Sequence, residues 1–209
     1  PFEVSVFADP SGAFTTAAGM VAITEKHLND KFSQNLDKSN VVILGGTGPV
    51  GVASAVICAK AGANVTLVGR SLEKAEKIAG ICNDRYDSKN VKGGADADKS
   101  DFFNAADIVL NTGAAGIQLM SEEHIKNSNT LKICADTNAV PPSGIAGVDV
   151  MDNGKVIDMS PSKCLGIGAL AIGNIKYKSQ HECLKLMYTS EKPVYLDFED
   201  AFKFAQKSV

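Results

Sequence analysis

Residues Val41-Val42-Ile43-Leu44-Gly45-Gly46-Thr47-Gly48-Pro49-Val50-Gly51 constrain this chain more than any other stretch. Four apolar, mostly β-branched residues describe a buried strand. Glycines 46, 48 and 51 then give G-x-G-x-x-G, and an apolar helix follows at once. In this strand–turn–helix setting the pattern is a dinucleotide fingerprint. Gly46 is expected to allow the tight turn, and Gly48 to let backbone N–H groups approach a pyrophosphate. Gly51 is expected to let the helix lie close on the strand. Thr47, Pro49 and Val50 complete the turn, and the helix N-terminus directs unpaired N–H groups and a positive dipole end at phosphate.

The next strand, Ala63 to Gly69, bears on cofactor choice. An NAD-selective site carries an Asp or Glu at its end, on the ribose 2′-hydroxyl. Here Gly69 occupies that place and Arg70 follows, with Ser71 as a helix N-cap and Lys74 one turn on. A guanidinium can grip a 2′-phosphate through paired charged hydrogen bonds. NADP is therefore favoured over NAD.

From residue 41 onward, strand and helix patterns alternate. A helix is expected over about 15–28, a second over 50–61 and a third over 71–86. Short strands are expected at 107–110 and 131–135, and an Asn153-Gly154 hairpin turn. A Gly-rich helix over 166–188 and a last helix from Phe198 complete the pattern. This is a Rossmann-like α/β fold, a doubly wound, mostly parallel sheet with helices on both faces. Thr112, Gly113, Ala114, Asp136 and Asn138 then fall at the carboxyl ends of strands, on one rim with the fingerprint.

With 209 residues, a formal charge of −3 and no dense basic run, nucleic acid is not the expected partner. No apolar stretch is long enough for a bilayer span, and no export signal opens the chain. Five scattered cysteines without C-x-x-C read as buried thiols of a cytoplasmic protein, and no metal site is expected. The opening Pro1-Phe2-Glu3-Val4-Ser5-Val6-Phe7 reads as the interior of a longer polypeptide. No histidine falls at a strand end where a hydroxyl-deprotonating base would be needed.

The chain resembles the NADP-dependent methylene-tetrahydromethanopterin/methylene-tetrahydrofolate dehydrogenases over nearly its whole length. The resemblance rests on Phe14-Thr15-Thr16-Ala17-Ala18, Gly46 to Gly51, Gly69-Arg70 with Lys74, and Thr112-Gly113-Ala114. It continues through Asp136-x-Asn138-Ala139-x-Pro141-Pro142-x-Gly144-Ile145 and Leu165-Gly166-Ile167-Gly168 followed by Lys176.

It implies that residues 1–32 are the last strand and helix of an N-terminal α/β substrate domain. Residues 33–165 would be the NADP domain, and 166–209 C-terminal helices packing back on the cleft. It further implies a tetrahydropterin substrate, with Thr15, Thr16 and Lys176 as its contacts and Gly166 and Gly168 close to the nicotinamide. A homo-oligomer is expected. Two readings stand beside it: an NADP-dependent enzyme of shikimate-dehydrogenase type, which the Gly-Arg-Ser-x-x-Lys segment also suits, and a non-enzymatic NADP-responsive binding domain.

Overall fold

The structure is a computed structural model and describes residues 2–209; Pro1, first residue of the expected N-terminal segment, lies outside the described residues. The central sheet has seven strands: β2 (Asn40–Leu44), β3 (Asn64–Gly69), β4 (Val91–Ala95), β5 (Ile108–Asn111), β6 (Ile133–Asp136), β7 (Asn153–Val156) and β8 (Leu165–Ile167). They lie in the order β4-β3-β2-β5-β6-β8-β7, and all pair in parallel except β7 with β8. Chain order reverses between β2 and β5, so a crevice opens outside their carboxyl ends. Among the described residues no helix is long and apolar enough to cross a membrane.

Alternation along the strands divides the core. Val41 and Ile43 of β2, with Ile108 and Leu110 of β5, face α1 (Ala13–Phe32), α2 (Pro49–Lys60), α6 (Ala169–Thr189) and α7 (Phe198–Ser208). Val42, Leu44 and Val109 face the opposite side, against Phe103 of α4 (Lys99–Asn104) and Ile125 of α5 (Glu122–Asn127). Successive strand residues point to opposite faces, and both faces are apolar, so the sheet needs helices on each side. A buried aliphatic side chain of this kind contributes about 1.5–3 kcal/mol. α3 (Leu72–Tyr86) lies beside β3 and β4, with its N-cap Ser71 accepting from the Lys74 backbone N–H, as expected.

Two expectations are corrected. Asn153-Gly154 is not a hairpin turn: it lies inside β7, where the pairing slips between Asn153 and Lys155 and Gly154 takes φ 76°. An extra residue held left-handed by glycine is how a bulge forms, and the reversal to β8 comes later, over 157–164. The Gly-rich helix does not begin at 166. Leu165-Gly166-Ile167 is a strand, and Gly168 is the extended N-cap of α6. Glycine costs a helix interior about 1 kcal/mol, and the flanking strands β6 and β7 offer these residues hydrogen bonds instead.

The polar segment after Tyr86 forms a full strand, β4, in parallel with β3. Val6–Phe7 (β1) pairs in parallel with β9 (Tyr195–Leu196), as a separate two-stranded sheet. Helix α1 packs on α6 at very short range: a Cβ on Gly19 would stand 2.9 Å from the Lys176 backbone nitrogen. Ala17, Ala18 and Ala22 are buried beside Gly19. This small-residue face brings Lys176 to the start of α1.

Candidate functional site: a dinucleotide groove and an adjoining corner

A groove of about 540 Å³ runs along the carboxyl ends of the parallel strands. Gly45, Thr47 and Gly48 form its floor after β2; Val68, Gly69 and Arg70 follow from β3; Thr112, Gly113 and Ala114 come from the end of β5. The structure thus brings together eight of the residues that the sequence places on one rim, plus some it does not single out.

The glycines divide by function. The left-handed turn residue is Gly45, at φ 66°, and not Gly46. Gly46 is required by packing, since its Cβ would stand 2.7 Å from Leu67 Cδ2. Gly51 matches expectation: a Cβ there would stand 2.6 Å from Gly46 Cα, so the α2–β2 approach depends on it. Gly48 is different. It is extended (φ −85°, ψ 167°), and a Cβ would meet nothing closer than the Gly45 carbonyl oxygen at 3.5 Å. The protein itself has no use for the missing side chain, whereas a phosphate approaching the α2 N-terminus does. Pro49 and Val50 open α2, whose first N–H groups stay available there.

Arg70 is exposed at the end of β3, and Lys74 is exposed one turn into α3. Among the described residues neither forms an ion pair. Both cations are therefore free to meet an anion, although Lys74 does not line the groove. Sequence reasoning passed over three of the lining residues. Ile117 and Leu119 form an apolar wall, and Asp96 follows β4. Asp96 lay in a segment whose strand has no apolar run to announce it.

Asp136 and Asn138 do not line the groove; they brace it. Asp136 is 1% exposed. Its carboxylate accepts from Asn111 Nδ2 at 2.7 Å, the Asn138 backbone N–H at 2.9 Å and the Ile145 backbone N–H at 3.0 Å. Asn138 Oδ1 accepts from the backbone N–H groups of Gly116 and Val140, and its amide donates to the Pro142 carbonyl. The two loops above β5 and β6 are tied into one rim this way. Gly166 faces Val148 and Ile157 from β8, and Gly168 packs under Asp149 and Val150, so neither reaches the groove.

The second cluster gathers at the start of α1. The helix begins at Ala13, so Thr15 and Thr16 sit inside its first turn and cap nothing. Asp9, otherwise a turn residue, does the capping. Its carboxylate accepts from the backbone N–H groups of Phe14 at 2.9 Å and Thr15 at 3.1 Å, and from Thr15 Oγ1 at 2.7 Å. Thr15 is fully buried, and Thr16 Oγ1 donates to the Gly12 carbonyl at 2.6 Å.

Lys176 reaches this corner from α6: its Nζ lies 2.6 Å from where a Cβ on Gly12 would stand. Phe14, in the same turn of α1, shares an apolar cleft with Thr47, Gly48 and Pro49. The corner therefore adjoins the fingerprint turn.

The cysteines and His124 hold the structure together. All five cysteines are free and buried, and burial pushes the Cys58 thiol up to about 12. His124 belongs to a capping box. Its Nδ1 accepts from the Ser121 backbone N–H at 3.1 Å, and Ser121 Oγ accepts from the His124 backbone N–H. The other ring nitrogen then carries the proton and donates to Ser100 Oγ at 3.1 Å, so it cannot serve Ser100 as a base.

Burial, reinforced by Lys99, holds His124 below its ordinary value of 6.5. The unfolded chain thus binds the proton more readily, and the stabilisation is present above about 6.5 and lost as pH falls through the folded value. Melting curves across mildly acidic pH should show this loss, and His124→Gln, which keeps a capping acceptor, should flatten it.

No family model matches the chain. Among curated proteins it is 40% identical over 208 residues to the NAD(P)-dependent methylenetetrahydromethanopterin dehydrogenase of Methylorubrum extorquens, covering 98% of this chain and 69% of that protein. It is 36% identical over 210 residues to the bifunctional protein MdtA of the same organism, covering 99% of this chain and 69% of that protein. Solved structures share the fold at low identity. Quinate dehydrogenase from Corynebacterium glutamicum, in complex with NAD, superposes with a TM-score of 0.57 at 15% identity, over 94% of this chain and 62% of that one. Shikimate 5-dehydrogenase from Listeria monocytogenes, in complex with shikimate and NAD, also gives 0.57, at 13% identity, over 96% and 71%. At such identity these two speak for a Rossmann-like architecture alone. With its fingerprint groove and two-fifths identity along almost its entire length, the chain belongs to the family of NAD(P)-dependent methylenetetrahydromethanopterin dehydrogenases.

Proposed function

We propose that the chain is an oxidoreductase moving a hydride from a methylene-tetrahydropterin, tetrahydromethanopterin before tetrahydrofolate, to NADP+, giving the methenyl form. The observation that carries this is the adjacency of the groove to the Asp9–Thr15–Lys176 corner, across the fingerprint turn. The substrate class follows from the 40% identical relative, whose name favours it over a shikimate-type enzyme or a non-enzymatic domain. In this reading residues 1–32 would be the end of a substrate domain, 33–165 the cofactor domain and 166–209 helices closing the cleft.

The groove fits a phosphorylated dinucleotide. Gly48 and the α2 N-terminus would take the pyrophosphate, Arg70 with Lys74 the 2′-phosphate, and Thr112 to Ala114 the nicotinamide side. The cofactor supplies the hydride acceptor. A carbon between two ring nitrogens loses hydride without losing a proton, because the nitrogen lone pairs spread the positive charge. That accords with a groove in which no lining residue is His, Cys, Tyr or Lys. The task left to the protein is to hold two flat rings in register, and such positioning is worth roughly 7–11 kcal/mol in favourable cases.

Lys176 would bind a pterin carbonyl, since an ammonium beside the reacting carbon would oppose the developing cation. Asp9 fixes the turn against which Lys176 rests. The expected result for Lys176→Ala is a fall of about 10- to 100-fold in kcat/KM for the pterin, the loss of one charge-assisted hydrogen bond. NADP affinity should hold. Steady-state assays with methylene-tetrahydromethanopterin and methylene-tetrahydrofolate, each with NADP+ and NAD+, test the function directly. Absence of turnover with every pair would remove the proposal.

A further inference from the structure

The acid that an NAD site carries at the end of β3 is absent here, yet a carboxylate stands one strand over. β3 and β4 pair with Gly69 opposite Ala95, so the next residues, Arg70 and Asp96, emerge side by side from neighbouring strand ends. Adjacent strands are about 4.8 Å apart, and both residues line the groove, of whose lining they are the only charged members. A guanidinium and a carboxylate so placed would ordinarily pair. Here they do not. Asp96 is held instead by Lys99, whose Nζ donates to Oδ1 at 3.1 Å and to Oδ2 at 3.3 Å. The Lys99 side chain is 19% exposed and that of Asp96 is 40% exposed, so the ammonium is packed in place while the carboxylate keeps an open side. The short 3-10 turn over 96–98, leading into α4, sets this i,i+3 pairing.

From this we infer that Asp96 and Lys99 determine dinucleotide specificity, giving one groove two ways to hold the adenosine ribose. The inference rests on the groove's being the dinucleotide site. Arg70, left unneutralised, takes the 2′-phosphate of NADP. Asp96 accepts a ribose hydroxyl of NAD, as the missing acid of β3 would have done. Lys99 serves the phosphorylated carrier: it offsets the negative charge that would repel a 2′-phosphate, and it leaves Arg70 unneutralised. With Arg70, Lys99 and Asp96 together, the corner carries one net positive charge. A use of both carriers is also what the name of the 40% identical relative states of that protein.

The two residues should then act with opposite selectivity, which is the test. Dissociation constants for NAD+ and NADP+ would be measured by titration calorimetry on the full chain and two variants, each checked for an unchanged melting curve. Asp96→Asn is expected to weaken NAD+ about tenfold, the loss of one charged hydrogen bond, with NADP+ within about threefold. Lys99→Gln is expected to do the reverse, weakening NADP+ about tenfold and leaving NAD+ within about threefold.

If Asp96→Asn weakens both dinucleotides equally, the carboxylate serves a part they share, such as the base, and the inference falls. It falls too if neither variant moves the ratio. Wild-type chain that binds neither dinucleotide would instead overturn the assignment of the groove itself, an outcome distinct from a ratio that stays put.

Discussion

Replacing Asp136 by Ala should lower stability by about 3–5 kcal/mol, the largest single-residue loss anticipated for the rim. The side chain is 1% exposed and accepts three hydrogen bonds, from Asn111, Asn138 and Ile145. Truncation leaves three donors in a dry site with nothing to bind, and each orphaned group costs about 1–3 kcal/mol, with partial relief from relaxation. For a chain of this size the melting temperature should drop by roughly 6–20 °C. Asp136→Asn is the informative companion. Its amide can still accept through one oxygen but presents N–H groups where the other oxygen accepted a hydrogen bond, so an intermediate loss is expected. Cofactor affinity should fall as well, because the Gly116 loop hangs from Asn138. Thermal melts of both variants, with and without NADP+, would check this; a variant as stable as wild type would show that the network is dispensable.

Gly48→Val is expected to weaken NAD+ and NADP+ alike by about 100-fold or more while leaving the fold intact. The backbone there is extended, a conformation that suits a β-branched residue, and the Cβ makes only an ordinary contact with the Gly45 carbonyl oxygen at 3.5 Å. What the side chain would fill is the path of the pyrophosphate to the α2 N–H groups, and both dinucleotides share that group. Gly51→Val makes the contrast, because its Cβ would press on Gly46 Cα at 2.6 Å and force the helix off the strand. The first variant should melt like wild type and bind poorly; the second should melt early. Normal dinucleotide affinity in Gly48→Val would contradict the placement of the phosphates.

The cofactor half of the site was largely legible because its information is local. A β-branched run, three glycines at fixed spacing and Arg70 directly after a strand each act through their own backbone or their neighbours. The exception shows the limit: spacing located the turn but named Gly46 as its hinge, whereas the left-handed residue is Gly45. Local pattern also misjudged the Gly166–Gly168 stretch, which reads as helix only until one knows that strand β6 lies beside it. Asp9 and Asp96 were invisible as site residues for a related reason. Each is an ordinary turn acid until the fold supplies its surroundings, Thr15 for one and Lys99 with the neighbouring strand end at Arg70 for the other.

The sequence by itself therefore determined the strand–turn–helix unit, the doubly wound sheet and the rim at its carboxyl ends, since periodicity and glycine spacing report on contacts within a few residues. Tertiary structure alone decided that Lys176 meets the first turn of α1, that Asp136 ties the rim loops together, and that Asp96 stands beside Arg70. Those three facts depend on helix packing and strand register between segments far apart in the chain. Such distances are set by the closest approach of whole faces, and no single segment carries them.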